Sequence, residues 1–103
     1  MIVRAWRGRA RPGEAGAYPD HFRRRVMPEL RGVPGFLGAS LLRDDSPDGA
    51  AFLVLTRWAS MEAVRGFAGD APDRAVVESG AVAALASFDE TVVHYEMVEE
   101  VPA

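Results

Sequence analysis

The stretch FLVLTRWASMEAVRGFAG, residues 52–69, carries the clearest alternation of apolar and polar positions in the chain. It opens with four consecutive apolar residues, 52–55, and reaches Trp58, which predicts a buried strand over 52–58. Ser60 then stands where a side-chain oxygen caps a helix, by accepting from a backbone N–H two or three residues on. Met61, Val64, Phe67 and Ala68 recur at spacings of three and four, so one helix face is buried while Glu62 and Arg65 face water. Gly69 supplies a left-handed stop for this short helix.

The rest of the chain arranges itself around that unit. Residues 1–9 mix Ile2, Val3, Ala5 and Trp6 with arginines and predict a first strand, ended by Pro12 and Gly13. Between residues 14 and 31, Tyr18, Phe22, Val26 and Leu30 recur every four residues and predict a first helix with one apolar stripe. Pro19 suits only a helix start, and Pro28 removes a backbone donor, so this helix is expected to be irregular at its start and bent or broken before Glu29. Residues 36–43 predict a second strand, and the polar residues 44–49 a hairpin connection back to the strand at 52–58. Residues 70–78 read as a turn with a helical piece capped by Asp70 and Asp73, residues 81–86 as another helical fragment, and the β-branched residues 91–98 as the last strand.

The order β, α, β, β, α, β is that of a ferredoxin-like split βαβ domain of the α+β class: a four-stranded antiparallel sheet with both helices on one face. One such domain accounts for residues 1–103. Consecutive apolar residues at 52–55 and at Val92 and Val93 want cover on both sheet faces, and the helices cover only one. A second copy packing sheet to sheet would cover the other, so a homodimer is expected.

Charge and composition narrow the function. A net charge of -3 argues against nucleic-acid binding, and the one basic run, Arg23 to Arg25, reads as a solvated helix face. The absence of cysteine excludes disulfides, thiolate metal sites and thiol catalysis. No apolar run reaches the roughly 20 residues of a membrane helix and no signal-peptide pattern is evident, so the cytoplasm is the expected location. Lysine, asparagine and glutamine are also absent, which removes a Schiff-base lysine and amide side chains from any mechanism. Asp44, Asp45 and Asp48 lack calcium-loop spacing and read as a turn, and no metal site is expected.

MIVRAWRGR at the start, VPGFLG at 33–38, FLVLTRWASMEAVRGFAG at 52–69 and VVHYEMV at 92–98 together resemble the antibiotic biosynthesis monooxygenase family across essentially the whole chain. The resemblance implies a homodimeric α+β barrel with a ligand pocket in each subunit between helices and sheet. Some members oxygenate quinols or phenolic polyketides with O₂ and no cofactor, and others degrade haem. The cofactor-free polyketide oxygenases use an Asn on the third strand and a Tyr on the second helix; Val54 and Val64 stand at those positions here. The haem-degrading members use an Asn on the first strand and a His in the second helix; this chain has no Asn, and no His lies between Trp58 and Asp70. Haem degradation is therefore not expected.

Five residues are the candidates for a site. Trp58, at a strand-to-helix junction, can wall a pocket and offer an indole N–H, or simply anchor the core. Trp6 on the first strand has the same two readings. His94 on the last strand can act as a general base on a phenol or serve as a hydrogen-bonded structural group. His21 lies one turn after Tyr18 on the first helix, so the two share an edge that borders a pocket or the surface. Tyr18 can orient a substrate oxygen or pack in the core. The expectation that follows is a cofactor-independent monooxygenase-like protein acting on a phenolic, quinol or polyketide-type aromatic molecule, with His94 or His21 as base. The alternative is a non-catalytic barrel that binds a small apolar ligand or serves as an accessory protein.

Overall fold

The computed structural model spans all 103 residues. Its sheet is antiparallel and has five strands: β1 (Ile2–Arg9), β2 (Phe36–Ser46), β3 (Gly49–Trp58), β4 (Ser87–Phe88) and β5 (Val93–Glu96). The order is β2-β3-β1, and beyond β1 both β4 and β5 pair with it, at Gly8–Arg9 and at Ile2–Ala5 respectively. The four expected strand positions are thus present, and the outermost is split in two. Between its halves, Asp89 N–H donates to the Arg7 carbonyl, and residues 89–92 then leave the ladder to meet the segment before α4. The β2–β3 hairpin is tighter than the polar run at 44–49 suggests. β2 continues to Ser46 and only Pro47 and Asp48 make the turn, with the Ser46 hydroxyl bridging Asp48 N–H and the Gly49 carbonyl.

The first helix runs unbroken through residues 17–31 as α1 (Ala17–His21), a π-helical stretch (Phe22–Val26) and α2 (Met27–Arg31). This departs from the expected break at Pro28, which instead sits at the start of α2. The wider π turn has two effects. It absorbs the donor that Pro28 lacks, as π-bulges do at helix irregularities. It also realigns the apolar stripe, because a four-residue spacing drifts by about 40° per step along a regular α-helix. Tyr18, Phe22 and Leu30 consequently all reach the sheet and are buried.

Helix α3 (Met61–Ala68) starts as expected, Ser60 Oγ accepting from Ala63 N–H at 3.2 Å; at its end Gly69 has a positive φ of 84°, but its ψ of -160° makes it extended rather than left-handed helical. Residues 70–78 differ from expectation. They form turns and an isolated bridge, Arg74 to Thr91, rather than a helical piece, and the helix α4 (Ser79–Ala84) starts two residues before the fragment expected at 81–86. Asp73 is used instead as a strand-like partner, its carbonyl accepting from Val92 N–H at 2.8 Å.

Residues 2, 4, 6 and 8 of β1 and 50, 52, 54, 56 and 58 of β3 face the helices, as the two-residue period of a strand requires. Two apolar clusters form there. Tyr18, Phe22, Phe52, Val54, Ala81 and Leu85 make one, and Leu30, Trp58 and Val64 the other. Gly35 joins them: with φ of +83° and room for no Cβ, since one would lie 2.5 Å from that of Ala63, it lets the start of β2 pass close to α3.

Candidate functional site

Between the first helix, the segment 75–78 and the inner face of the sheet lies a cavity of about 80 Å³. Its wall is mainly apolar, from Val26, Leu30, Val54, Phe67, Val76, Val77, Ala81 and Val92. Polar groups interrupt that wall in two places. Arg4 and Thr56 come from the sheet, and Tyr18, His21, Glu29 and Glu78 from the helix and the covering segment.

Three of the five expected site residues meet here. Trp6 on β1 and Tyr18 on the first helix both line it and pack against each other with ring centroids 5.8 Å apart, and the His21 ring lies 6.0 Å from that of Tyr18. The Trp6 indole N–H is committed to the Asp89 carbonyl at 2.7 Å, so Trp6 contributes its ring face rather than a donor. Burial, assisted by the charge of Glu78, holds the Tyr18 hydroxyl well above its usual pKa, so it stays a protonated phenol that can donate or accept. His21 Nε2 is buried without any hydrogen-bond partner, and its ring is in close approach to Gly80, where a Cβ would come within 2.7 Å of it. Such an unmet nitrogen costs about 1–3 kcal/mol, and a bound ligand can supply the missing partner.

The other two residues lie behind the cavity. Trp58 is completely buried in the second cluster, edge-on to Phe36 and stacked on Phe67, and its N–H donates to Thr56 Oγ1 at 2.9 Å. Its effect on the cavity is therefore indirect, through the positions of Thr56 and Phe67. His94 on β5 does not line the cavity. Its Nε2 is 2.9 Å from Arg4 Nη1, and its Nδ1 is 3.5 Å from an Asp73 carboxylate oxygen. Because a guanidinium can only donate, Nε2 accepts and the proton sits on Nδ1. Burial, and next the Arg4 charge, push the His94 pKa down against the pull of Asp73, which favours the neutral ring this arrangement requires.

Arg4, Glu29 and Glu78 were not among the residues singled out from sequence. Arg4 could have been found by strand alternation, since it shares the inner face of β1 with Trp6. Glu29 and Glu78, 49 positions apart, approach only in the tertiary structure. A hydrogen bond between their carboxyls raises the Glu29 pKa first, then the like charge of Glu78, so this pair holds a proton more readily than an isolated glutamate. No three His, Asp or Glu side chains converge as a metal-binding group.

A split βαβ sheet carrying a cavity under its helices defines a small α+β protein of the ferredoxin-like class. The model of the antibiotic biosynthesis monooxygenase family matches residues 1–78, and the chain belongs to that family. Solved structures share the fold over nearly the full length. A Bacillus cereus protein assigned to the antibiotic biosynthesis monooxygenases is 17% identical with a TM-score of 0.68, over 99% of this chain and 97% of that one. The haem degrader MhuD from Mycobacterium tuberculosis, solved with two haems in its active site, is 25% identical with a TM-score of 0.59, over 99% and 100%. SnoaB, a cofactor-independent oxygenase from Streptomyces nogalater, is 16% identical with a TM-score of 0.60, over 99% and 96%. No functionally curated protein matches the chain in sequence.

Proposed function

We propose that residues 1–103 form one domain that acts as a cofactor-independent, monooxygenase-like enzyme on a small phenol or quinol bound in this cavity. The observation that carries the reading is the buried, unpartnered Nε2 of His21, beside the Tyr18 ring in a cavity that Trp6 also lines. His21 takes the hydroxyl proton of the substrate, and the resulting anion is electron-rich enough to reduce O₂. One atom of O₂ replaces hydrogen on a ring carbon and the other leaves as water; the ring gives up all four electrons, so a phenol leaves as a quinone and a quinol as a hydroxyquinone. Tyr18 orients the substrate oxygen through its protonated hydroxyl, Trp6 stacks on the ring, and Trp58 supports the wall through Thr56. His94 acts from outside the cavity through Arg4.

Haem, which MhuD binds, does not fit these residues. The cavity is well below the roughly 300 Å³ at which sites for drug-sized ligands begin, and α3 offers no histidine. The two-sided apolar sheet supports a homodimer joined sheet to sheet, and no helix is long and apolar enough to cross a membrane. We place the enzyme in the cytoplasm, where small aromatic metabolites are available to it.

Oxygen uptake with a panel of phenols and quinols, in metal-free buffer without added cofactor, tests the proposal. Uptake is expected, and His21→Leu is expected to lower it by about 10²-fold or more, the usual contribution of a general base, while leaving the fold intact. Absence of uptake with every substrate would refute the enzyme reading. One observation favours a second reading, a non-catalytic binding protein: Val54, which lines the cavity, puts an inert side chain where polyketide-oxidising relatives carry a polar one. That reading predicts thermal stabilisation by phenols with no oxygen consumed.

A further inference from the structure

Arg4 is the one arginine that lines the cavity, and it is only 5% exposed. Buried guanidinium groups are ordinarily paired with a carboxylate, because an isolated charge taken out of water is costly. Arg4 has no such pair: no Asp or Glu oxygen lies within salt-bridge distance of it, and its acceptors are all neutral. Nη1 donates to the Pro72 carbonyl at 2.5 Å and to His94 Nε2 at 2.9 Å, and Nη2 donates to the Arg74 carbonyl at 2.8 Å. A guanidinium carries five N–H donors, so the Nε donor and one on Nη2 are left without a protein acceptor. These two sit on neighbouring nitrogens of a planar fork, the arrangement that takes a carboxylate through paired hydrogen bonds.

The surroundings hold Arg4 in this state. The carbonyls of Pro72 and Arg74 and the neutral ring of His94 fix the orientation of the fork without cancelling its charge, and the Phe67 ring, with its centroid 5.9 Å from Cζ, covers it. Asp73 makes its contact with His94 and orients the histidine; its charge favours the guanidinium from a distance, but no carboxylate oxygen is hydrogen-bonded to Arg4. Glu29 and Glu78 belong to the other polar group of the cavity, with Tyr18 and His21, and are not among Arg4's partners.

We infer that the ligand of this cavity is an aromatic acid, a single ring bearing a carboxylate, whose carboxylate is bound by Arg4 while its ring packs against Trp6 and Phe67. Arg4 is the specificity-determining residue, and His94 with Asp73 positions it. The inference deepens the proposed function by naming the substrate class, and rests on the same cavity being the site.

Anaerobic isothermal titration calorimetry with 4-hydroxybenzoate and salicylate, each against its methyl ester, tests it separately from turnover. Binding of the acids at least about tenfold tighter than of the esters is expected, the usual margin for a charge-assisted hydrogen bond. Arg4→Met, close in length and neutral, should abolish that preference. Equal affinities of acid and ester, or binding of neither, would overturn the inference, as would a folded Arg4→Met that keeps the preference. Should Arg4→Met not fold, the wild-type comparison of acid with ester decides alone. Acid preference without oxygen uptake would leave this inference standing and remove the monooxygenase reading. Uptake on neutral phenols bound as tightly as the acids would do the reverse.

Discussion

Trp58 and His21 illustrate what single side chains do in this molecule. Trp58 is the largest fully buried side chain, and its contacts reach β2, α3 and, through Thr56, the cavity wall. Trp58→Ala is expected to cost about 3–5 kcal/mol, the range for emptying an aromatic site in a core. That is a large share of the roughly 5–15 kcal/mol by which a domain is stable, so urea denaturation should show either a strongly lowered midpoint or no folded baseline. A loss below about 1 kcal/mol would mean that the site collapses around the missing ring. The two readings of Trp58 from sequence, wall or anchor, differ in one atom, Nε1. Its bond to Thr56 is made across two positions of one strand, which no residue pattern encodes.

At the level of elements, the covering segment 72–78 is held by the sheet rather than by its own structure. Arg4 binds two of its carbonyls, Ala75 N–H donates to the Glu90 carbonyl, and Val92 N–H donates to Asp73. His94 links this segment to pH. Its pKa is lowered in the folded protein, so between that lowered value and the usual value of about 6.5 the unfolded chain binds more protons than the folded one. Stability contributed by the neutral ring is therefore complete above about pH 6.5 and is lost as pH falls through the lowered pKa. Urea midpoints measured from about pH 7 downward should decline across this window, and His94→Gln should flatten the decline. An identical slope in that variant would detach His94 from the effect. From sequence, residues 70–78 read as a turn with a helical piece; their extended, tethered course depends on Arg4, some seventy positions away.

For the whole molecule, the decisive feature is the sheet face away from the helices. Val3, Ala5, Leu53 and Leu55 lie on it half-buried, and Leu42, Val93 and Tyr95 are exposed beside them in register. Contiguous apolar surface of this kind is uncommon on monomers and marks an interface. The wild-type protein is expected to show twice its 11.2 kDa mass in light scattering at micromolar concentration, and Leu53→Asp, at the centre of the face, to shift it to the monomer. A monomeric wild type would contradict the proposed homodimer.

Much of the architecture was legible because it follows from local periodicity. The strand positions of β1 and β3, the four-residue stripe of the first helix and the Ser60 cap of α3 each depend on neighbours within a turn or a pleat, and all three are found in the fold. What periodicity could not supply was the pairing of distant segments. It did not show that the last strand is divided around residues 89–92, that a π turn carries Pro28 through the helix, or that 70–78 folds over the sheet. The site shows the same division. Trp6, Tyr18 and His21 could be marked as candidates from residue type and helix or strand face. Only the tertiary structure set Trp58 and His94 behind the cavity and left Arg4 inside it as a buried charge with no carboxylate bonded to it. The strand period decides which face a side chain takes, and the packing of remote backbone decides what it meets there.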